Sequence, residues 1–292
     1  MTEYCLPTSA EEAIRLLAAH EGRALILAGG TDVLPDMRKG KWAPSCLVDI
    51  TRIPDLQSIE VTRSEVRVGA AVTFAALKAH TYLRTHVHAL AEAARSVGAA
   101  AIQSSATWAG NIVQAMPAAD GAVAALALEA EARVLGVEGS AWRPVASLFA
   151  GPGRSAIDPT RQLITHLRFP LPEAPWGTAW QRIGRRASLV LPILNCAAKI
   201  VLAEGRIARA TLALGPVAPY PFRAREAEAF MAGKAPSAEV FAEAARIAQN
   251  ESDPRSSVMR ASREYRLAIL PVVVGDALSL AAQRASGAGQ VG

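Results

Sequence analysis

ALILAGGTD, residues 24–32, opens on five apolar residues and closes on a glycine pair, a hydroxyl and a carboxylate. An apolar run this short, bounded by breakers, predicts a buried strand over 24–28 that Gly29-Gly30-Thr31-Asp32 terminates. Glycines reach backbone angles that expose consecutive N–H groups, and without side chains they let a phosphate approach closely; Thr31 adds a hydroxyl donor. A tight turn is the commoner explanation of a lone Gly-Gly-Thr, and the stretch matches neither the Walker nor the GxGxxG pattern.

On the N-terminal side, Ser9-Ala-Glu-Glu12 has the form of a capping box ahead of Ala13, Ile14, Leu16 and Leu17, so a helix is expected that ends near Gly22. A second strand is expected at 46–50, and strand, helix and strand together give an α/β beginning. Further along, 66–70 alternates like a strand, Thr73 is placed to cap a helix over 74–80, and 87–97 reads as another helix. Residues 98–120 are dominated by Ala, Ser, Thr, Gly and Asn and read as an irregular loop held against something. Strands are expected at 130–135 and 163–169.

Pro170, Pro172 and Pro175 form a stiff break. Beyond it strands are expected at 178–183, 194–203 and 208–214, then helices at 224–231, 237–249 and 262–284. The expected division is a first domain over 1–172, a second domain over 176–286, and a tail over 287–292.

Composition sets limits. The chain has 292 residues, 51% of them hydrophobic and 20% charged, with a formal charge of +5. That is the make-up of a globular protein of about two domains. Its basic residues are scattered apart from Arg182, Arg185 and Arg186, so no nucleic-acid stripe is visible. The stretch from Leu267 to Leu280 holds Pro271 and Asp276 and reads as a buried helix rather than a membrane span. The N-terminus lacks the pattern of a signal peptide, and a cytoplasmic location is expected. Cys5, Cys46 and Cys196 lie far apart in sequence and are too few to ligate an iron–sulfur cluster. No side chain stands out as a general acid or base, and no metal ligand set is expected.

A second loop resembles the first in chemistry. Thr107-Trp108-Ala109-Gly110-Asn111, followed by Met116-Pro117-Ala118-Ala119-Asp120, clusters small residues with hydrogen-bonding side chains in an apolar setting. Two such loops are suited to gripping two parts of a dinucleotide; a junction of small packed residues is the other reading.

Taken in order, these stretches resemble the medium subunit of the xanthine dehydrogenase and carbon monoxide dehydrogenase family of molybdenum hydroxylases. LILAGGTDVLPDMRKGKWAPSCLVDITRIPDL (25–56) is similar to the family's first flavin segment, VRVGAAVT (66–73) to its next, and SATWAGN with MPAAD to its second flavin loop. QRIGRR (181–186), LGPVAP (214–219) and RASREYR (260–266) resemble segments of the family's C-terminal half. The resemblance implies an α+β protein: a two-lobed α/β FAD-binding domain of the type 2, PCMH-like kind, with lobes of about 1–55 and 56–172, then a smaller α+β domain with an antiparallel sheet and helices.

It also implies a function and a site. The chain would carry FAD, take electrons from the [2Fe-2S] clusters of a small partner subunit, and pass them to NAD, a quinone, oxygen or another carrier. A large partner subunit would hold molybdopterin, in a dimer of heterotrimers. The implied FAD contacts are Ala28, Gly29, Gly30, Thr31 and Asp32, then Thr107, Ala109, Gly110 and Asn111, with Asp120 near the flavin, Ile164 against its ring and Gln181 where relatives carry a lysine. Three departures from the family pattern are Ala109 for glycine, Ser104-Ser105 for an Arg-Asn pair, and Gln181 for that lysine. A self-contained flavin oxidase or dehydrogenase and a non-catalytic nucleotide-binding scaffold remain as alternatives.

Overall fold

The computed structural model describes residues 2–287. The first lobe runs β1 (Glu3–Cys5), α1 (Ala10–Ala19), β2 (Ala24–Leu27), α2 (Val33–Arg38) and β3 (Cys46–Asp49). Its three strands are parallel, in the order β1-β3-β2. Ser9 Oγ caps α1 by accepting the Glu12 N–H at 3.1 Å. The return bond of the box goes one residue further back: the Glu12 carboxylate accepts from the Thr8 N–H at 2.7 Å and from its hydroxyl at 2.8 Å. The helix then lays Ala13, Ile14 and Leu17 on the sheet. β1 and α2 were not expected. β1 is three residues, two of them exposed, and α2 is six residues with Pro35 in its first turn, where a missing N–H costs no helical bond.

The second lobe runs β4 (Ile59–Val61), β5 (Glu65–Gly69), α3 (Phe74–Ala79), α4 (Thr81–His86), α5 (His88–Ser96), α6 (Ala100–Gln103), α7 (Trp108–Val113), α8 (Asp120–Ala127), β6 (Glu131–Gly136), β7 (Gly139–Pro144), β8 (Phe149–Gly151), β9 (Arg154–Ser155) and β10 (Leu163–Pro170). Five strands form an antiparallel sheet in the order β4-β5-β10-β6-β7, and β8 and β9 make a hairpin. The expectation of an irregular loop over 98–120 is corrected by α6 and α7. The bulk that the small residues lack comes from Ile112 and Trp108, both fully buried, and Trp108 donates its Nε1–H to the Gly121 carbonyl at 2.8 Å.

The C-terminal domain comprises β11 (Trp176–Ile183), β12 (Leu194–Ala203), β13 (Arg206–Gly215), β14 (Phe222–Arg223), α9 (Arg225–Met231), α10 (Ala238–Asn250) and α11 (Arg263–Ala285). Its strands pair in sequence order as an antiparallel sheet. α11 is long and apolar enough to cross a membrane, but here it lies across β11 and β12 with Leu270, Val274, Leu278 and Ala281 buried. Pro271 sits inside this helix without breaking it. Proline has no N–H for the carbonyl of Leu267, and the Gln249 side chain of α10 takes that carbonyl at 2.7 Å. Residues 288–292 of the expected tail lie outside the described residues.

Strand alternation lets this one sheet serve two cores. Cys196, Ala198 and Ile200 of β12 face α10 and α11, whereas Ala197 joins the core of the first domain. On that second face, α5 and α8 of the first domain pack against β11, β12 and β13. Every residue of α8 is buried. Beyond its C-terminal end, Glu129 accepts from Lys199 and Arg223, both at 2.9 Å, and from Arg209. Burial raises the Glu129 pKa, but the neighbouring cations outweigh it and hold the carboxyl below its usual range.

Lys199 is only 2% exposed, so its charge depends on Glu129. Glu129→Gln is expected to destabilise the protein by about 3–5 kcal/mol, read as a lowered urea midpoint. Adding Lys199→Met to that variant should recover part of the loss, and no recovery would mean that Lys199 is not the charge left stranded.

Candidate functional site

A cavity of about 610 Å³ opens where the first lobe meets the second. The glycine loop between β2 and α2 forms one wall. Here Gly29 touches the second lobe's backbone: a Cβ on it would lie 1.9 Å from the Ser105 carbonyl oxygen. Gly30 follows with φ of +67°, a left-handed conformation that other residues adopt at a cost. Among the described residues, the amides of Gly29, Gly30, Thr31 and Asp32 donate to no protein acceptor. Free N–H groups in a row, in a wall stripped of side chains, suit a phosphate.

The facing wall is the start of α7. Thr107 Oγ1 caps it by accepting the Gly110 N–H at 3.0 Å, and the Ala109 amide has no protein acceptor among the described residues. Asn111 Oδ1 accepts the Ala122 N–H at 3.2 Å, which fastens α7 to α8 and holds the wall in place. Lys41 and Arg154 bring positive charge to the cavity, while Trp42, Val97, Ile102 and Ile164 supply apolar surface. Asp32 also lines it; desolvation raises its pKa first, neighbouring Asp36 raises it further, and Lys41 opposes both. The volume, the free amides, the two cations and the apolar surface together fit a dinucleotide.

Of the residues singled out in the sequence, Ala28, Gly29, Gly30, Thr31, Asp32, Thr107, Ala109, Gly110, Asn111 and Ile164 all line this cavity. Asp120 and Gln181 do not. Asp120 opens α8 with its carboxylate turned toward the C-terminal domain, where Asn195 Nδ2 donates to it at 2.6 Å and Arg182 Nε lies 3.6 Å away. Gln181 is placed by strand alternation on the same face of β11 as Ala179 and Ile183, which pack on the helices of the C-terminal domain. Ser104-Ser105, a departure from the family pattern, supplies the carbonyl on which Gly29 rests.

Sequence reasoning missed Lys41, Trp42, Arg154 and Leu191 as cavity residues. Lys41 belongs to the basic stretch between β2 and β3, and Arg154 follows Gly151-Pro152-Gly153, so each sits beside a readable turn or charge signal. Leu191 comes from the segment joining β11 and β12, and only the docking of the two domains brings it there.

Comparison with known proteins gives a consistent picture. Residues 1–172 match the FAD binding domain in molybdopterin dehydrogenase, and residues 179–281 match the CO dehydrogenase flavoprotein C-terminal domain. The chain is 29% identical over 277 residues to the xanthine dehydrogenase FAD-binding subunit of Escherichia coli O157:H7, covering 94% of each. It superposes with a TM-score of 0.90 and 29% identity on carbon monoxide dehydrogenase from Hydrogenophaga pseudoflava lacking the Mo-pyranopterin moiety, covering 97% of this chain and 98% of that one. Quinoline 2-oxidoreductase from Pseudomonas putida 86 gives 0.87 and 25% identity, over 99% and 98%.

Two predictions follow from this geometry. Gly29→Ala must part the two loops or distort them, and FAD binding is expected to weaken by about ten- to hundred-fold. Gly30→Val should act the same way through its strained φ. Flavin absorbance per chain, with circular dichroism as a control for folding, reads both; unchanged occupancy would place the cofactor elsewhere. The second prediction concerns Asp120, whose pKa burial raises to about 6 against the pull of Arg182 and Asn195. A carboxyl with a higher pKa in the folded chain favours folding when protonated. Its contribution is complete below the ordinary value of 3.8 and is lost as pH rises through about 6. Asp120→Asn should flatten that part of the stability profile, by at most about 3 kcal/mol. Melting temperatures at about pH 5 and about pH 7.5 provide the check.

Proposed function

The chain belongs to the FAD-binding subunits of the molybdenum hydroxylases, oxidoreductases of the xanthine and carbon monoxide dehydrogenase kind, and from this we propose that it is an electron relay. It takes electrons from [2Fe-2S] clusters of a small partner subunit and delivers them to an external acceptor. A large partner subunit carries molybdopterin, and the assembly is a cytoplasmic dimer of heterotrimers. The carrying observation is the cavity built by two loops from different lobes, each presenting unbonded backbone amides.

In this reading the amides of Gly29 to Asp32 and the first turn of α7 hold the FAD pyrophosphate, with Lys41 and Arg154 balancing its charge. Ile164 lies against the flavin ring, and Trp42, Val97 and Ile102 keep water from the apolar parts of the cofactor. Asp120 and Gln181 act at a remove, Asp120 by fixing the end of α8 against the C-terminal domain. The division at 172–176 into a flavin domain and a smaller C-terminal domain belongs to the same proposal. Bound FAD supplies the chemistry that takes electrons singly and gives them up in pairs; the protein contributes position and electrostatics. In this reading substrate oxidation falls to the molybdopterin-bearing partner.

The test is purification from the native host. A yellow protein is expected that releases FAD and brings down subunits containing iron, sulfide and molybdopterin. Turnover of an organic substrate by the isolated chain would favour a self-contained oxidase, and a colourless, redox-inert chain would favour a scaffold.

A further inference from the structure

A second cavity of about 560 Å³ adjoins the first. Leu191 lines both, and in the chain Pro152 of the second cavity is followed by Gly153 of the first. Its character is different, because four arginines, Arg185, Arg255, Arg260 and Arg266, face into it. Arg266, near the start of α11, is 2% exposed, donates from Nη1 to the Pro216 carbonyl at 2.8 Å, and leaves its buried Nε without any partner. None of the four forms an ion pair among the described residues. The one carboxylate in the lining, Asp253, is engaged by Arg263 at 3.1 Å. Burial, with Arg260 and Arg255 adding to it, holds the Arg266 pKa below its usual value; burial and Arg255 do the same to Arg260.

A buried cation that is repelled by its neighbours and lacks a counter-charge is costly in an isolated fold. Elsewhere in this protein such charges are neutralised, as Lys199 is by Glu129. The rim of the cavity is apolar and open, with Met259 82% and Leu189 56% exposed. Buried Arg266, half-buried Arg260 and exposed Arg185 and Arg255, set beside an apolar rim, suit an organic anion with a flat apolar part.

Resting on the flavoprotein reading above, we propose that this arginine-lined cavity binds an anionic electron acceptor, seating its negatively charged oxygens (phosphate, carboxylate or phenolate) on Arg255, Arg260 and Arg266. Fully reduced flavin returns to FAD by losing two electrons and two protons: a nicotinamide acceptor takes both electrons and one proton as hydride and the other proton goes to solvent, whereas an indophenol or a quinone takes both electrons and both protons. Binding beside the cofactor cavity keeps that transfer short.

The test uses the intact complex, reduced anaerobically with dithionite and mixed with NAD, with 2,6-dichlorophenolindophenol as a second anion, or with neutral 1,4-benzoquinone. Flavin reoxidation is followed against acceptor concentration. At least one anionic acceptor is expected to saturate, with inorganic pyrophosphate competing against it. Arg255→Gln and Arg260→Gln should raise its apparent Kd by about ten-fold or more while FAD content and the benzoquinone rate stay unchanged. Arg260→Lys should restore part of the affinity. Several outcomes overturn the proposal: reoxidation by benzoquinone alone, equal effects on charged and neutral acceptors, or no effect on either. Loss of FAD from the variants would assign the arginines to the flavin itself, and loss of partner subunits would assign them to a protein contact. A wild-type complex without FAD fails at the earlier step and refutes the flavoprotein reading.

Discussion

The Cα of Gly29 rests on the carbonyl of Ser105 with no room for a single further carbon. That contact joins a loop built on a parallel three-stranded sheet to one carried by a helical segment of a different lobe. Each loop has its own support: β2 and α2 hold the first, and the Thr107 cap with the Asn111 tie to α8 holds the second. The cavity is the space that remains when the two supports are drawn together at their least bulky points. Side chains there would both separate the lobes and occupy the place of the ligand, so smallness meets two demands at once.

The same economy of charge separates structure from function elsewhere. Glu129 lies among Lys199, Arg209 and Arg223, and Arg223 in turn holds Glu228. These ions answer one another, and their effect is to fix how the C-terminal sheet sits on α8. Among the described residues the arginines around the second cavity pair with no carboxylate, and Arg185 and Arg266 donate only to the carbonyls of Met259 and Pro216. A fold that pairs its buried ions around Glu129 and leaves buried Arg266 without a counter-charge is, on the proposal above, open there to an anion that it does not itself contain.

Much of this could be read from the residues, and the failures have physical causes. α1, α10 and α11 were legible because caps and apolar periodicity agreed, and β12 because ten residues alternate between two buried faces. The stretch from 98 to 120 was misjudged because averaging over small residues hid Trp108 and Ile112, the two large side chains that α7 buries. The first cavity loop was visible from its glycine pair and the second from small residues clustered with hydrogen-bonding side chains, whereas Leu191 was not, since nothing local marks a residue that reaches a cavity through domain docking. Asp120 was singled out for its place in a motif, yet its partners, Asn195 and Arg182, lie on strands far along the chain. Cys5 and Cys46 were set aside as remote, but β1 and β3 are neighbours and bring their sulfurs to 3.2 Å. Pairing across strands, unlike pairing along a helix, leaves no trace in sequence spacing.

The burial of α8 bears on how the protein is made. Its covering strand β12 begins only after the 66 residues from Leu128 to Ile193 have been added. At roughly 5–20 residues per second, a helix with no polar side emerges from the ribosome and stands bare on one flank for roughly 3–13 s. Such a nascent chain is a natural client for a chaperone, and a translation pause placed before β12 would lengthen the interval in which it can aggregate.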